Sequence, residues 1–192
     1  MNIAPSQKVL AFSIALVLLA ATALAQPGRI ILLRHAEKPE SEADIHLSER
    51  GRQRAAALAD WAMHSPAWET NCPPAAVFAC KPTANAPSLR SIETITPLAA
   101  RLQLPVQTPF SAKKFAALAR QILDDPALNG KTAVICWTRD ELPKLAESFG
   151  VAPGSVVCKS KSFDRLWVVT FQDARAVATN LPQKLLPGDA VR

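Results

Sequence analysis

The chain has 192 residues and a formal net charge of +6. Its basic side chains are spread along the sequence with no Lys/Arg block, and tyrosine is absent, so the charge favours anionic ligands and makes no case for nucleic acid. Residues 26–192 are enough for one domain with a real core and too few for two.

Residues 1–25 follow a separate logic. One basic residue, Lys8, precedes an almost wholly apolar run over 9–24, which closes on Ala23-Leu24-Ala25. The small-x-small ending is the pattern of a secretory signal peptide cut after Ala25. The competing reading is an uncleaved anchor, because 9–25 is at the lower limit for a membrane span. Cleavage is favoured, leaving no stable membrane anchor and a periplasmic or secreted protein. Without Lys8 the remainder is still basic.

The first element after the cut is the apolar run Arg29-Ile30-Ile31-Leu32-Leu33, which reads as a buried strand and stops abruptly at Arg34 and His35. An acidic loop over 39–45 leads to a helix opened by Ser48 as N-cap and running to about His64. Its residues Ala55, Leu58, Ala59 and Ala62 fall on one face. A proline-rich loop, a second apolar strand over 75–80 and a turn-rich segment follow. Ser88 begins a second helix with Ile92, Ile95, Leu98, Ala99 and Leu102 inward, and Pro97 predicts a kink or a fresh start within it. Ser111 caps a third helix with Phe115, Leu118, Ala119 and Ile122 inward. A third central strand over 131–137 ends in Thr138, Arg139, Asp140 and Glu141. A short helix over 142–149 has Pro143 in its first turn and Gly150 past its end. Residues 165–171 and 175–180 read as a hairpin turning at 172–174.

Strands alternating with helices predict an α/β fold: a three-layer αβα sandwich with a mostly parallel central sheet and a C-terminal antiparallel hairpin. The whole of 26–192 forms one domain.

Four cysteines in an exported chain permit disulfides, and the flanking of strands and loops favours Cys72 with Cys80 and Cys136 with Cys158. No C-x-x-C occurs and the three histidines are far from the cysteines, so a zinc site is not expected.

In a parallel sheet the carboxyl ends of the strands open on one edge. Arg34 and His35 follow the first strand, Arg90 lies just beyond the second, and Arg139 follows the third. Guanidinium forks match phosphate oxygens and stay charged, while a histidine among them can carry a phosphoryl group on a ring nitrogen.

These segments resemble the histidine phosphatase superfamily, also called phosphoglycerate mutase-like or acid phosphatase-like, over nearly all of 26–192. IILLRHAEKP from Ile30 resembles its signature strand, and LSERGRQRAAAL from Leu47 the helix that follows. SLRSIETITPLAARLQL from Ser88 is similar to the segment with the second phosphate-binding arginine. VICWTRDELPKLAESFG from Val134 is similar to the segment carrying a second histidine. FDRLWVVTF and NLPQKLLPGD resemble the carboxyl end of a compact bacterial branch.

The resemblance implies that His35 is the phosphoryl acceptor, that Arg34 and Arg90 grip phosphate, and that neither metal nor other cofactor is needed. Where that branch reads Cys-Trp-x-His, this chain reads Cys136-Trp137-Thr138-Arg139, so Arg139 replaces the second pocket histidine. In one branch of the superfamily an aspartate follows that histidine; Asp140 holds the place as general acid, with Glu37 as rival. The implied activity is hydrolysis of small phosphorylated substrates. The alternative is a catalytically impaired pseudophosphatase that binds phosphorylated ligands through its arginines. A mutase would need an enclosing cap, for which the chain leaves little room. His46 and His64 are expected on the surface or in loops. The four tryptophans are expected in packing, and Lys113, Lys114, Lys159 and Lys161 in solvent. Substrate identity and oligomeric state stay open.

Overall fold

The structure, a computed structural model, describes residues 26–41, 43–65, 68, 71–172 and 175–189. The export segment 1–25 and the hairpin turn at 173–174 lie outside the described residues. No described helix is long and apolar enough to cross a membrane.

Among the described residues six strands form one sheet: β1 (Arg29–Arg34), β2 (Pro74–Ala79), β3 (Val106–Gln107), β4 (Thr132–Trp137), β5 (Arg165–Gln172) and β6 (Arg175–Pro182), in the order β3-β2-β4-β1-β5-β6. The first four run parallel, and β5 and β6 return antiparallel. Both faces of β1 and β4 are buried along their whole length, which is why these segments read as unbroken apolar runs.

Alternate residues supply the two cores. Val77, Ile31, Leu33, Val134 and Cys136 meet α1 (Glu49–Ala62) and α2 (Arg90–Arg101) on one face. Phe78, Ile30, Leu32, Ile135 and Trp137 meet α3 (Phe115–Leu123) and α4 (Leu142–Ser148) on the other. The result is the three-layer sandwich expected from the alternation of elements.

Three details differ from the sequence reading. Helix α2 runs through Pro97 as one element; the Thr96 hydroxyl donates to the Ile92 carbonyl at 2.8 Å in the turn that proline disturbs. Ser111 makes no side-chain capping bond, and a 3-10 turn, Ala112–Lys114, precedes α3. Strand β3 has only two residues, too few for any periodic signal.

The favoured disulfides are not formed, and all four cysteines are free. Cys72 and Cys80 flank opposite ends of β2, whose six residues span roughly 20 Å, far beyond the reach of a disulfide. Cys136 faces the α1/α2 core, whereas Cys158 packs against the α3/α4 core, so the sheet separates them.

Candidate active site

The carboxyl ends of β1 and β4 lie side by side, with Arg34 paired to Trp137 in register. His35 extends that ladder by one step, donating its backbone N–H to the Trp137 carbonyl at 3.1 Å. Arg34, His35, Lys38, Arg90, Thr138, Arg139 and Asp140 line one cavity of about 210 Å³ at this edge. Arg34, His35, Arg90, Arg139 and Asp140 are therefore brought together, drawn from two strand ends and the start of α2, while Glu37 is not among the lining residues.

The His35 ring is 9% exposed, and its Nδ1 lies 2.8 Å from the carbonyl of Ala36. A carbonyl only accepts, so Nδ1 carries the hydrogen and Nε2 keeps its lone pair. Burial pushes the imidazole down to about 4; the Ala36 bond opposes this, and the nearby charges of Arg34, Arg90 and Lys38 add to it. At neutral pH the ring is uncharged, with the Nε2 lone pair free, in a cationic pocket.

Two further contacts fix the segment after His35. The Ala36 N–H donates to the Thr94 hydroxyl at 2.8 Å, and that hydroxyl donates to the Arg90 carbonyl at 2.7 Å, tying the His35 segment to the start of α2. Ser48 caps α1 through Gly51, as its sequence position predicted, and its N–H and hydroxyl also donate to the Glu37 carbonyl at 3.0 and 3.2 Å. Gly51 is required at this contact because a Cβ would stand 2.3 Å from the Glu37 oxygen.

Arg34 has a double task. Its Nη1 donates to the carbonyls of Lys159, Ser160 and Ser162 at 3.2, 2.9 and 3.1 Å, and its guanidinium stacks 4.0 Å from the Phe163 ring centroid. Phe163 in turn lies 6.2 Å from the His35 ring. Arg34 thus holds the 159–163 loop beside the pocket. Its Nε, buried and without a hydrogen-bond partner among the described residues, is a donor left for an anion. Burial, with Arg139 alongside, lowers Arg34 to about 10, so it remains a cation at any working pH. Arg90 is oriented by Ser88, whose hydroxyl accepts from its Nε at 2.8 Å.

Arg139 Nε donates to Asp140 Oδ1 at 2.6 Å. This bond holds the Asp140 carboxyl below the usual carboxylate range, against a small opposing effect of burial. Asp140 is mostly exposed at the rim and is ionised at neutral pH.

Glu37, the rival acid, turns away from the cavity. Arg54 Nε donates to both of its oxygens at 3.0 and 2.9 Å, and Arg54 also grips Asp189 through bonds of 2.8 and 2.7 Å. Asp189 accepts from the N–H groups of Leu185 and Leu186 as well, which pins the C-terminal segment onto α1. Although burial opposes ionisation of Asp189, these bonds win and hold it at about 2. His46 stands apart, with Nδ1 2.5 Å from Glu93 Oε1 over a different cavity of about 490 Å³, and His64 is exposed beside the Asp60 carbonyl. Trp137 is fully buried and donates to the Ala112 carbonyl at 3.1 Å, a packing role. Among the described residues no group of three or more His, Cys, Asp or Glu side chains could hold a metal ion.

Sequence reasoning missed Arg54, Asp189, Thr94 and Phe163. Arg54 carried a signal, because it falls in the buried stripe of α1 between Gly51 and Leu58, where a charge needs partners.

No family model matches the sequence, and no curated protein matches it. Solved structures do match in fold. The protein histidine phosphatase SixA, complexed with tungstate, aligns at 14% identity over 81% of this chain and 97% of that one, with a TM-score of 0.55. A mycobacterial glucosyl-3-phosphoglycerate phosphatase with inorganic phosphate aligns at 12% identity over 80% and 95%, with a TM-score of 0.52. The chain has the α/β fold of these phosphatases.

Proposed function

We propose that this chain is a phosphatase of the histidine phosphatase superfamily that hydrolyses phosphomonoesters through a phosphohistidine on His35. The observation that carries this reading is the imidazole itself. It is buried and neutral, its Nδ1 hydrogen is committed to the Ala36 carbonyl, and it lines one cavity with three arginines. Both structural neighbours are phosphatases by name, and one holds phosphate and the other tungstate.

In the first step Nε2 bonds to phosphorus as the P–O bond to the alcohol breaks. Arg34, Arg90 and Arg139 balance the charge on the equatorial oxygens. In the second step water attacks the phosphohistidine, the P–N bond breaks, and inorganic phosphate leaves. Asp140, ionised by its pairing with Arg139, takes the proton from that water and loses it to solvent, and the departing alcohol of the first step takes its proton from water. The arginines supply the charge that a metal would otherwise provide, so the chemistry is metal-independent and uses no cofactor. The apolar run ending in Ala23-Leu24-Ala25 supports export with cleavage after Ala25; amino-terminal sequencing of protein recovered from the periplasm or medium should begin at Gln26.

Arg139, standing where the related branch has histidine, favours one second reading: a pseudophosphatase that binds phosphorylated ligands without turning them over. Incubation with p-nitrophenyl phosphate and a panel of alkyl phosphomonoesters separates the two. The phosphatase reading predicts turnover that His35→Ala abolishes. Phosphate-induced stabilisation with no turnover, and turnover created by Arg139→His, would establish the pseudophosphatase.

A further inference from the structure

The cavity around His35 is not isolated. A second cavity of about 480 Å³ adjoins it, bounded by Thr83, Asn85, Ala86, Ser111, Ala112 and Lys113, and the two share Thr138 and Asp140 as their common wall. The smaller space, about 210 Å³, holds the nucleophile and the arginines, and the larger holds none of them. An ester with its phosphoryl group against His35 would have room for its alcohol portion in the larger cleft, past Thr138 and Asp140. Of these two side chains only one is a donor at neutral pH, because the Arg139 bond keeps Asp140 ionised and accepting. The Thr138 Oγ1 atom is buried and has no hydrogen-bond partner among the described residues, an arrangement that costs free energy unless something accepts its hydrogen.

Resting on the phosphatase reading above, we propose that Thr138 is the leaving-group residue. Its hydroxyl donates a hydrogen bond to the bridging ester oxygen, and the adjoining cleft is the subsite for the alcohol portion. As His35 Nε2 bonds to phosphorus, the P–O bond breaks and its electron pair stays on the departing oxygen. The Thr138 hydrogen bond holds that charge until a proton from water in the cleft completes the alcohol. A donor aimed at charge that develops only in the transition state contributes on the order of 100-fold to turnover. An ester whose alcohol is already a good leaving group needs little of that help.

The test compares glycerol 3-phosphate, an alkyl ester with a poor leaving group, with p-nitrophenyl phosphate, whose leaving group is stable as an anion. Thr138→Val should lower kcat/KM about 100-fold on the first and less than about 5-fold on the second, leaving inorganic phosphate inhibition unchanged. Thr138→Ser should restore most of the loss, and Thr138→Ala provides the same comparison if valine disturbs folding. An equal loss on both substrates, or none on either, overturns the proposal. Weakened phosphate inhibition with an unchanged ratio between the substrates also overturns it, because the hydroxyl would then serve the phosphoryl group. If the unmodified protein binds phosphate yet turns over neither ester, the phosphatase reading itself fails and this proposal falls with it.

Discussion

Replacing Arg54 with methionine tests how the His35 segment is held. Arg54 makes five hydrogen bonds to Glu37 and Asp189, and its side chain is 4% exposed, as is that of Asp189. Methionine keeps the apolar stem and leaves two largely buried carboxylates with the half-exposed Arg50, 3.3 Å from Glu37 and 3.7 Å from Asp189, as their remaining cation. Removing one partner of a buried ion pair costs about 3–5 kcal/mol when the remaining charge is left without compensation, and the contacts with Arg50 put this case at the lower end, about 3 kcal/mol. In a domain of this size each kcal/mol moves the melting temperature by about 2–4 °C, so a fall of roughly 10 °C is expected at pH 7. The pH dependence carries the mechanism. In the unmodified protein Asp189 is held at about 2, below its ordinary 3.8, so its contribution is present above 3.8 and is lost as pH falls through 2. In Arg54→Met the Asp189 carboxyl loses the bonds to Arg54 that hold it down while its burial stays, so it titrates higher and protonation costs less. The stability gap between the two proteins, read by urea denaturation, should therefore narrow as pH falls from 6 towards 3. Since the Glu37 backbone lies two residues from His35, turnover should fall as well. A cost below about 1 kcal/mol, or a gap independent of pH, would refute the reasoning.

The remaining predictions concern the pocket and its supports. His35 is lowered from 6.5 to about 4, so the unfolded chain binds the extra proton first as pH drops; stability should fall between pH 6.5 and 4, by roughly 3 kcal/mol over the full window, and less in His35→Gln. The imidazole resonances of His35 in the folded protein should titrate at about 4, and a value near 6.5 would contradict the geometry. Gly51→Ala places a methyl 2.3 Å from the Glu37 oxygen and should cost roughly 1–3 kcal/mol by thermal denaturation, with a matching loss of turnover. Arg34→Lys cannot reproduce both the stacking on Phe163 and the three carbonyl bonds; it should raise protease sensitivity at 159–163 and weaken phosphate binding at least about 10-fold.

Much of this arrangement could be read from the residues. The run from Ile30 to Leu33 had to be a buried strand, and a parallel sheet then placed Arg34, His35, Arg90 and Arg139 at one edge, as the common cavity shows. What escaped depends on tertiary distance. Glu37 looked like a possible acid because it stands two residues from His35, yet its carboxylate points to Arg54, seventeen residues on, and that pairing depends on how α1 docks. The favoured cysteine pairs failed for a related reason: short sequence separation says nothing about which end of a strand, or which face of a sheet, each thiol occupies. Pro97 predicted a kink or a fresh start from local hydrogen bonding alone; there is no fresh start, because Ile95, Leu98 and Ala99 are packed in the core and hold α2 together across it.

The central claim is a covalent phosphoryl group on His35 Nε2. Rapid quenching of the protein after mixing with ³²P-labelled phosphomonoester should trap a phosphoenzyme that is labile to acid and stable to alkali. The label should map to the peptide containing His35, approach one per chain, and be absent from His35→Ala. Turnover with no trapped label in the unmodified protein, or label retained in His35→Ala, would contradict the account.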